Sequence, residues 1–160
     1  MIKTLKNILS AAGILFALSI PNETDLVINF NLSGLEPWQE ELFIKAGRDF
    51  WGIEIRKDNA SKNEAYFFAF PGGSGPIARV NREITNEELS YKILFNKKYL
   101  WADCSRPNAI GRNFHRISGH EMGHVLGHEK GHLPMYEHNG DFYSLMYKIE
   151  TPMDFCSDGK

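Results

Sequence analysis

The sequence predicts an α+β fold: a sheet backed by one long helix, then a central second helix and a short irregular tail. Three observations carry this. Several short β-type segments fall in the first hundred residues, and one amphipathic helical pattern interrupts them. A second helical pattern, near residue 120, is apolar on one flank and side-chain-free on the next.

The elements follow in order. In "DLVINFNL", Leu26, Ile28 and Phe30 alternate on one side, which is a strand pattern. In "EPWQEELFIKAGRDFWG", Pro37 suits a first helical turn and Trp38, Leu42, Ala46 and Phe50 recur every four residues, so a helix runs to Gly52. "IEIR" (53–56), "AYFFAF" (65–70), "IARVN" (77–81) and "SYKILFN" (90–96) read as strands, with "PGGSGP" (71–76) as a turn cluster. "NREITNEEL" reads as a polar loop or helical turn.

The second helix is expected from about Ala109 to Gly127, capped by Asn108 or Asn113 and stopped by Gly127. Met122, Val125 and Leu126 share one side; Gly119, Gly123 and Gly127 form the adjoining stripe. A helix of that kind is packed on several sides. The tail from Gly131 has little periodicity, with one short helix started at Thr151-Pro152.

At 160 residues, one domain is expected. A net charge of −2 offers no basic face for nucleic acid. The first 19 residues pair Lys3 and Lys6 with an apolar run too short to span a bilayer, the design of a secretory signal peptide, with Ala17 and Ser19 before a cut at Ile20. The folded domain is then 20–160, expected to be secreted or periplasmic, with no stable membrane association after cleavage and an oligomeric state left open. In an oxidising compartment Cys104 and Cys156 are expected to pair.

Four of the six histidines fall in "HEMGHVLGHEKGH", residues 120–132. Residues i and i+4 share a helix face about 6 Å apart along the axis, so His120 and His124 can converge on one zinc ion. Glu121, rotated by 100°, cannot share that metal but reaches a water bound to it and can act as its general base. His-Glu-x-x-His on a helix is therefore a hydrolase signature with a mechanism. His128 lies about 12 Å along the axis from His120, too far to join, so a third ligand must come after the chain turns.

"HEMGHVLG" followed by histidines, then "SLMY" (144–147), resembles the metzincin clan of zinc endopeptidases, matrixin-like proteins in particular. The resemblance implies a twisted mixed sheet, one catalytic Zn(2+), a protein or peptide substrate, and Met146 in a tight turn beneath the metal. "GPIARV" resembles the edge strand that pairs with extended substrate, which implies Ile77, Ala78, Arg79 and Val80 as substrate-binding residues. The family's third histidine would fall at position 130, which is Lys130. A two-residue insertion makes His132 the third ligand; a longer one makes it His138, eight residues before Met146. His132 disturbs the helix exit least and is preferred. No pro-segment with a zinc-blocking cysteine is seen, and only 14 residues follow Met146, leaving latency control and the specificity pocket open. The alternatives are a zincin with a glutamate third ligand, Glu137 or Glu150, and a zinc-binding module without peptidase turnover.

Overall fold

A computed structural model describes residues 26–73, 75–129, 145–146 and 152–156. The expected signal peptide, residues 1–19, lies outside the described residues, as do His132, His138, Glu137 and Glu150.

The chain is α+β; the described residues form a mixed five-stranded sheet, a small second sheet and two α-helices. β1 (Val27–Gly34) buries Ile28, Phe30 and Leu32 on one face and turns Val27 and Asn29 outward. α1 (Pro37–Trp51) begins where Pro37 needs no hydrogen-bond partner, and the Gln39 side chain accepts the Glu36 N–H at 2.8 Å. It ends at Gly52, whose φ of 66° lets the chain turn back so that Ile53 N–H reaches the Gly47 carbonyl. β2 (Glu54–Lys57) and β3 (Glu64–Phe68) flank β1, both parallel to it.

β4 (Ala78–Thr85) and β5 (Glu88–Asn96) form an antiparallel hairpin, so the strand order is β2-β1-β3-β5-β4 with β4 at an edge. This corrects the expectation of a polar loop or helical turn at "NREITNEEL". Asn81 to Thr85 continue the strand, and Asn86 and Glu87 make a two-residue turn with φ of 53° and 65°. The outer half of β4 is largely exposed, Ile84 included, and its pairing with β5 is helped by the Lys92–Glu83 ion pair at 2.9 Å across the two strands.

β6 (Trp101–Ala102), β7 (Gly111–Asn113) and β8 (Phe155–Cys156) form the second sheet. α2 (Phe114–Glu129) follows β7 directly. It starts five residues later than expected because residues 111–113 are drawn into strand pairing on both sides. It also runs through Gly127, which therefore does not stop it. The disulfide Cys104–Cys156, with Cα atoms 4.9 Å apart, ties the end of the described chain to the segment before α2, as expected from the cysteine count. A partly buried ion pair, Arg116–Asp154 at 2.9 Å, adds a second tie, and the short helical turn Pro152–Asp154 sits where Thr151-Pro152 predicted one.

α1 and α2 pack on each other, and their apolar faces merge with the sheet in one core. Its centre is aromatic: Phe30, Phe43, Phe95 and Phe114 are fully buried, with Phe95 and Phe114 ring centroids 4.6 Å apart. Phe114 is the first residue of α2, so the helix is anchored in the core at the turn that precedes its histidines. Among the described residues no helix is long and apolar enough to cross a membrane.

Candidate metal centre

α2 is preceded by Asn113, whose side-chain oxygen accepts the Arg116 N–H at 3.2 Å, the N-cap contact an asparagine supplies. Asn108, the other candidate cap, lies in the preceding loop with a positive φ of 59°. Ile117, Met122, Val125 and Leu126 are buried along one flank. The glycine stripe adjoins this flank and admits close neighbours. A Cβ on Gly119 would lie 2.3 Å from the Phe50 ring; one on Gly123 would lie 2.4 Å from the Met146 sulfur and 2.7 Å from the Trp51 indole. The Trp51 Nε1–H donates to the Gly119 carbonyl at 2.7 Å. The last turn of α1 therefore supports α2 from beneath, and Met146, 1 % exposed, fills the space beside it.

On the turn above that support stand His120 and His124. Their ring centroids are 5.1 Å apart and the rings are nearly perpendicular, at 79°. His120 Nδ1 lies 2.7 Å from the Leu145 carbonyl oxygen. A carbonyl only accepts, so Nδ1 must carry the proton, and the lone pair is on Nε2. That is the tautomer and fixed ring orientation a metal-binding histidine takes from an outer partner. Met146 and Leu145 thus act together: one packs against the helix while its neighbour's carbonyl orients the first histidine.

Glu121 sits between the two histidines in sequence and is 6 % exposed. Burial pushes its carboxyl up to about 8, and burial alone is the cause. Among the described residues no donor or cation offsets that burial.

The fit to zinc rests on these features: two imidazoles one helical turn apart, an outer carbonyl fixing one tautomer, and a buried carboxylate beside them. Among the described residues no third His, Cys, Asp or Glu joins the pair. His128 lies in the last turn of α2, about 12 Å along the axis from His120, and cannot share a metal with it. His115 belongs elsewhere. It lies between the helices with its ring 4.8 Å from Phe50 and Nε2 3.2 Å from Asp49, and burial first, then Lys45, lower its pKa against the pull of Asp49.

Ile77–Val80 lie at the start of the edge strand. The Ile77 carbonyl accepts the Asn96 N–H, Ala78 pairs with Phe95, and β4 touches α2. Ala78 is buried, Arg79 exposed, and Ile77 and Val80 half-buried. A separate shallow cavity of about 630 Å³, between the start of α1, Phe67 and Trp101, contains no histidine.

Two contributors to the site were not singled out from sequence. The Leu145 carbonyl is a backbone group and leaves no signature. Trp51 sits on the flank of α1 next to the periodic positions, and only its contact with Gly119 reveals its role. In comparisons with known proteins, no family model matches the chain and no curated protein matches it.

Proposed function

We propose that this chain is an exported zinc-dependent endopeptidase with a metzincin-type catalytic domain. The observation that supports this best is the fixed His120 imidazole, held by the Leu145 carbonyl beside His124, with Glu121 buried next to both. His120, His124 and a third ligand, His132 in preference to His138, would hold the ion. When bound, zinc supplies Lewis-acid polarisation of water and of the scissile carbonyl at neutral pH.

The chain's own groups do the rest. Glu121 accepts the proton of the attacking water and delivers it to the departing amine, so the carboxyl returns to its starting state within one turnover. Burial raises the Glu121 carboxyl and a bound cation would lower it again, so the two effects together bring the group toward the range in which it can both take and give a proton. Substrate would lie extended along Ile77–Val80 and add a strand to the open edge of β4, which main-chain hydrogen bonds favour without demanding a particular sequence. Met146 would form the floor under the two imidazoles.

The test is peptide hydrolysis by the Glu121→Ala variant measured beside its zinc content. Zinc should be retained while turnover falls by at least about 10²-fold, the usual contribution of a positioned general base. Near-full activity in the variant, or no zinc-dependent hydrolysis by the unsubstituted protein, overturns the reading.

A further inference from the structure

We infer that the shallow cavity of about 630 Å³ between the start of α1, Phe67 and Trp101 is a binding site for a neutral sugar, taken one pyranose ring at a time. Its place in the fold favours a ligand. β1, β3 and β5 run parallel, and the cavity lies outside their carboxyl ends, at Ser33 and Gly34, at Phe67 and at Lys97. The chain leaves β1 through α1 to pair β2 on one side, then pairs β3 on the other, so the strand order reverses at β1. A crevice at such a reversal is a general seat for small molecules in open sheets with parallel strands. Its volume lies within the about 300–1,000 Å³ usual for their sites.

The lining selects the occupant. Trp38, Phe67 and Trp101 are half-buried, and each packs against the fully buried Phe114, with ring centroids 5.8, 6.1 and 5.6 Å from it. This aromatic wall is fixed before a ligand arrives. Both indole N–H groups are already used, Trp38 by the Glu36 carboxylate and Trp101 by the Asn96 carbonyl, so the rings offer carbon rather than donors. Gln39 is 6 % exposed, and its Oε1 accepts the Glu36 N–H, which settles the orientation of the amide. Its Nε2 meets no acceptor among the described residues, yet it is not sealed from solvent. A donor held in this way at a cavity wall leaves a place for a ligand's acceptor. Glu36 and Lys97 add one negative and one positive charge to the same lining, so no net charge selects an ion. A pyranose matches donors and acceptors set beside aromatic carbon. Its hydroxyls both donate and accept, and its C–H face carries the slight positive charge that an aromatic face attracts. A flat aromatic acid fits less well, since its carboxylate would meet Glu36 as well as Lys97. The cavity contains no histidine, and the inference is independent of the metal reading.

The test is saturation-transfer NMR of the full chain with the methyl glycosides of glucose, galactose, mannose and N-acetylglucosamine, and with phenylacetate as an aromatic acid. At least one glycoside should bind with a Kd of about 1–10 mM, the range a ligand of this size reaches in an open site. Gln39→Glu keeps an oxygen for the Glu36 N–H and removes the free donor, so it should weaken binding about fivefold. Ser33→Arg, at an exposed position of the lining, should abolish binding by filling the cavity. Thermal melts check folding, and if one variant is unfolded the other decides. The sugar that binds is then offered as its free oligosaccharide and on the serine of a short glycopeptide; the form held more tightly names the source. No glycoside binding by the unsubstituted chain, binding of phenylacetate alone, or undiminished binding by a folded variant would each overturn the proposal, the second in favour of a site for aromatic acids.

Discussion

Replacing Glu121 by glutamine should stabilise the metal-free protein, and more so as pH rises. The buried carboxyl is pushed from an ordinary value of 4.5 to about 8, so the folded chain holds its proton over a range in which the unfolded chain releases it. The sign follows. Below about pH 4.5 both states are protonated and the group is neutral to stability. As pH rises toward 8 the unfolded state gains, and the penalty on folding is complete above that value. A shift of that size corresponds to about 5 kcal/mol at most, and relaxation with water entry lowers the realised figure to roughly 2–5 kcal/mol. That is a large share of the 5–15 kcal/mol by which a domain is ordinarily stable. Glutamine keeps the shape and cannot ionise. Urea denaturation in the presence of a chelator, at half-unit steps from pH 4.5 to 8.5, should show the two proteins diverging steadily, with the glutamine form the more stable. Groups whose titration is unchanged by the substitution cancel in the difference. Saturating zinc should shrink the gap, since a nearby cation favours the carboxylate. Parallel curves across the whole range would show that Glu121 is not held protonated by burial and would remove the physical basis for its role.

Gly123→Ala places a Cβ 2.4 Å from the Met146 sulfur and 2.7 Å from Trp51; the thioether should yield at a cost of about 1–3 kcal/mol, and zinc affinity should fall with it because Leu145, next to Met146, orients His120. Thermal melts and zinc titration check this, and unchanged affinity would show that the floor and the ligand are uncoupled. His132→Ala should release zinc while His128→Ala and His138→Ala should not, measured by competition with a chelating dye beside circular dichroism; release by His138→Ala alone would mean that the longer insertion is the right alignment. Glu87→Gly relieves a side chain from the left-handed region at φ 65° and creates an Asn-Gly turn, so the hairpin should gain about 0.5–1 kcal/mol in urea denaturation.

Some of this was legible because the physics is local. Ile28, Phe30 and Leu32 alternate because a strand has two faces, and Trp38, Leu42, Ala46 and Phe50 recur because a helix turns every 3.6 residues; both patterns survive in the burial of these residues. The pairing of Cys104 with Cys156 followed from their number and the expected compartment. Other features depend on partners distant in sequence. Residues 111–113 looked like the start of α2, yet they pair with residues 101–102 before them and 155–156 far beyond, and no window of the sequence contains both. The outer half of β4 carries no periodic signal because it is largely exposed, with Ile84 its one apolar residue.

The glycines of α2 show why the site was only half readable. Gly127 suggested a stop because glycine is the residue that most readily ends an exposed helix. In α2 the helix passes through it to Glu129. Glycines at this spacing let neighbours approach: Phe50 at Gly119, Trp51 and Met146 at Gly123. The packing they permit repays the poor helix propensity of the residue. The glycines that looked like a weakness in the helix are thus the surface against which α1 and Met146 pack, and the carbonyl of Leu145, next to Met146, fixes His120. The spacing of the histidines states which residues can share a metal. Gly119 and Gly123, which let Phe50, Trp51 and Met146 pack against the helix, bear on how rigidly those residues are held.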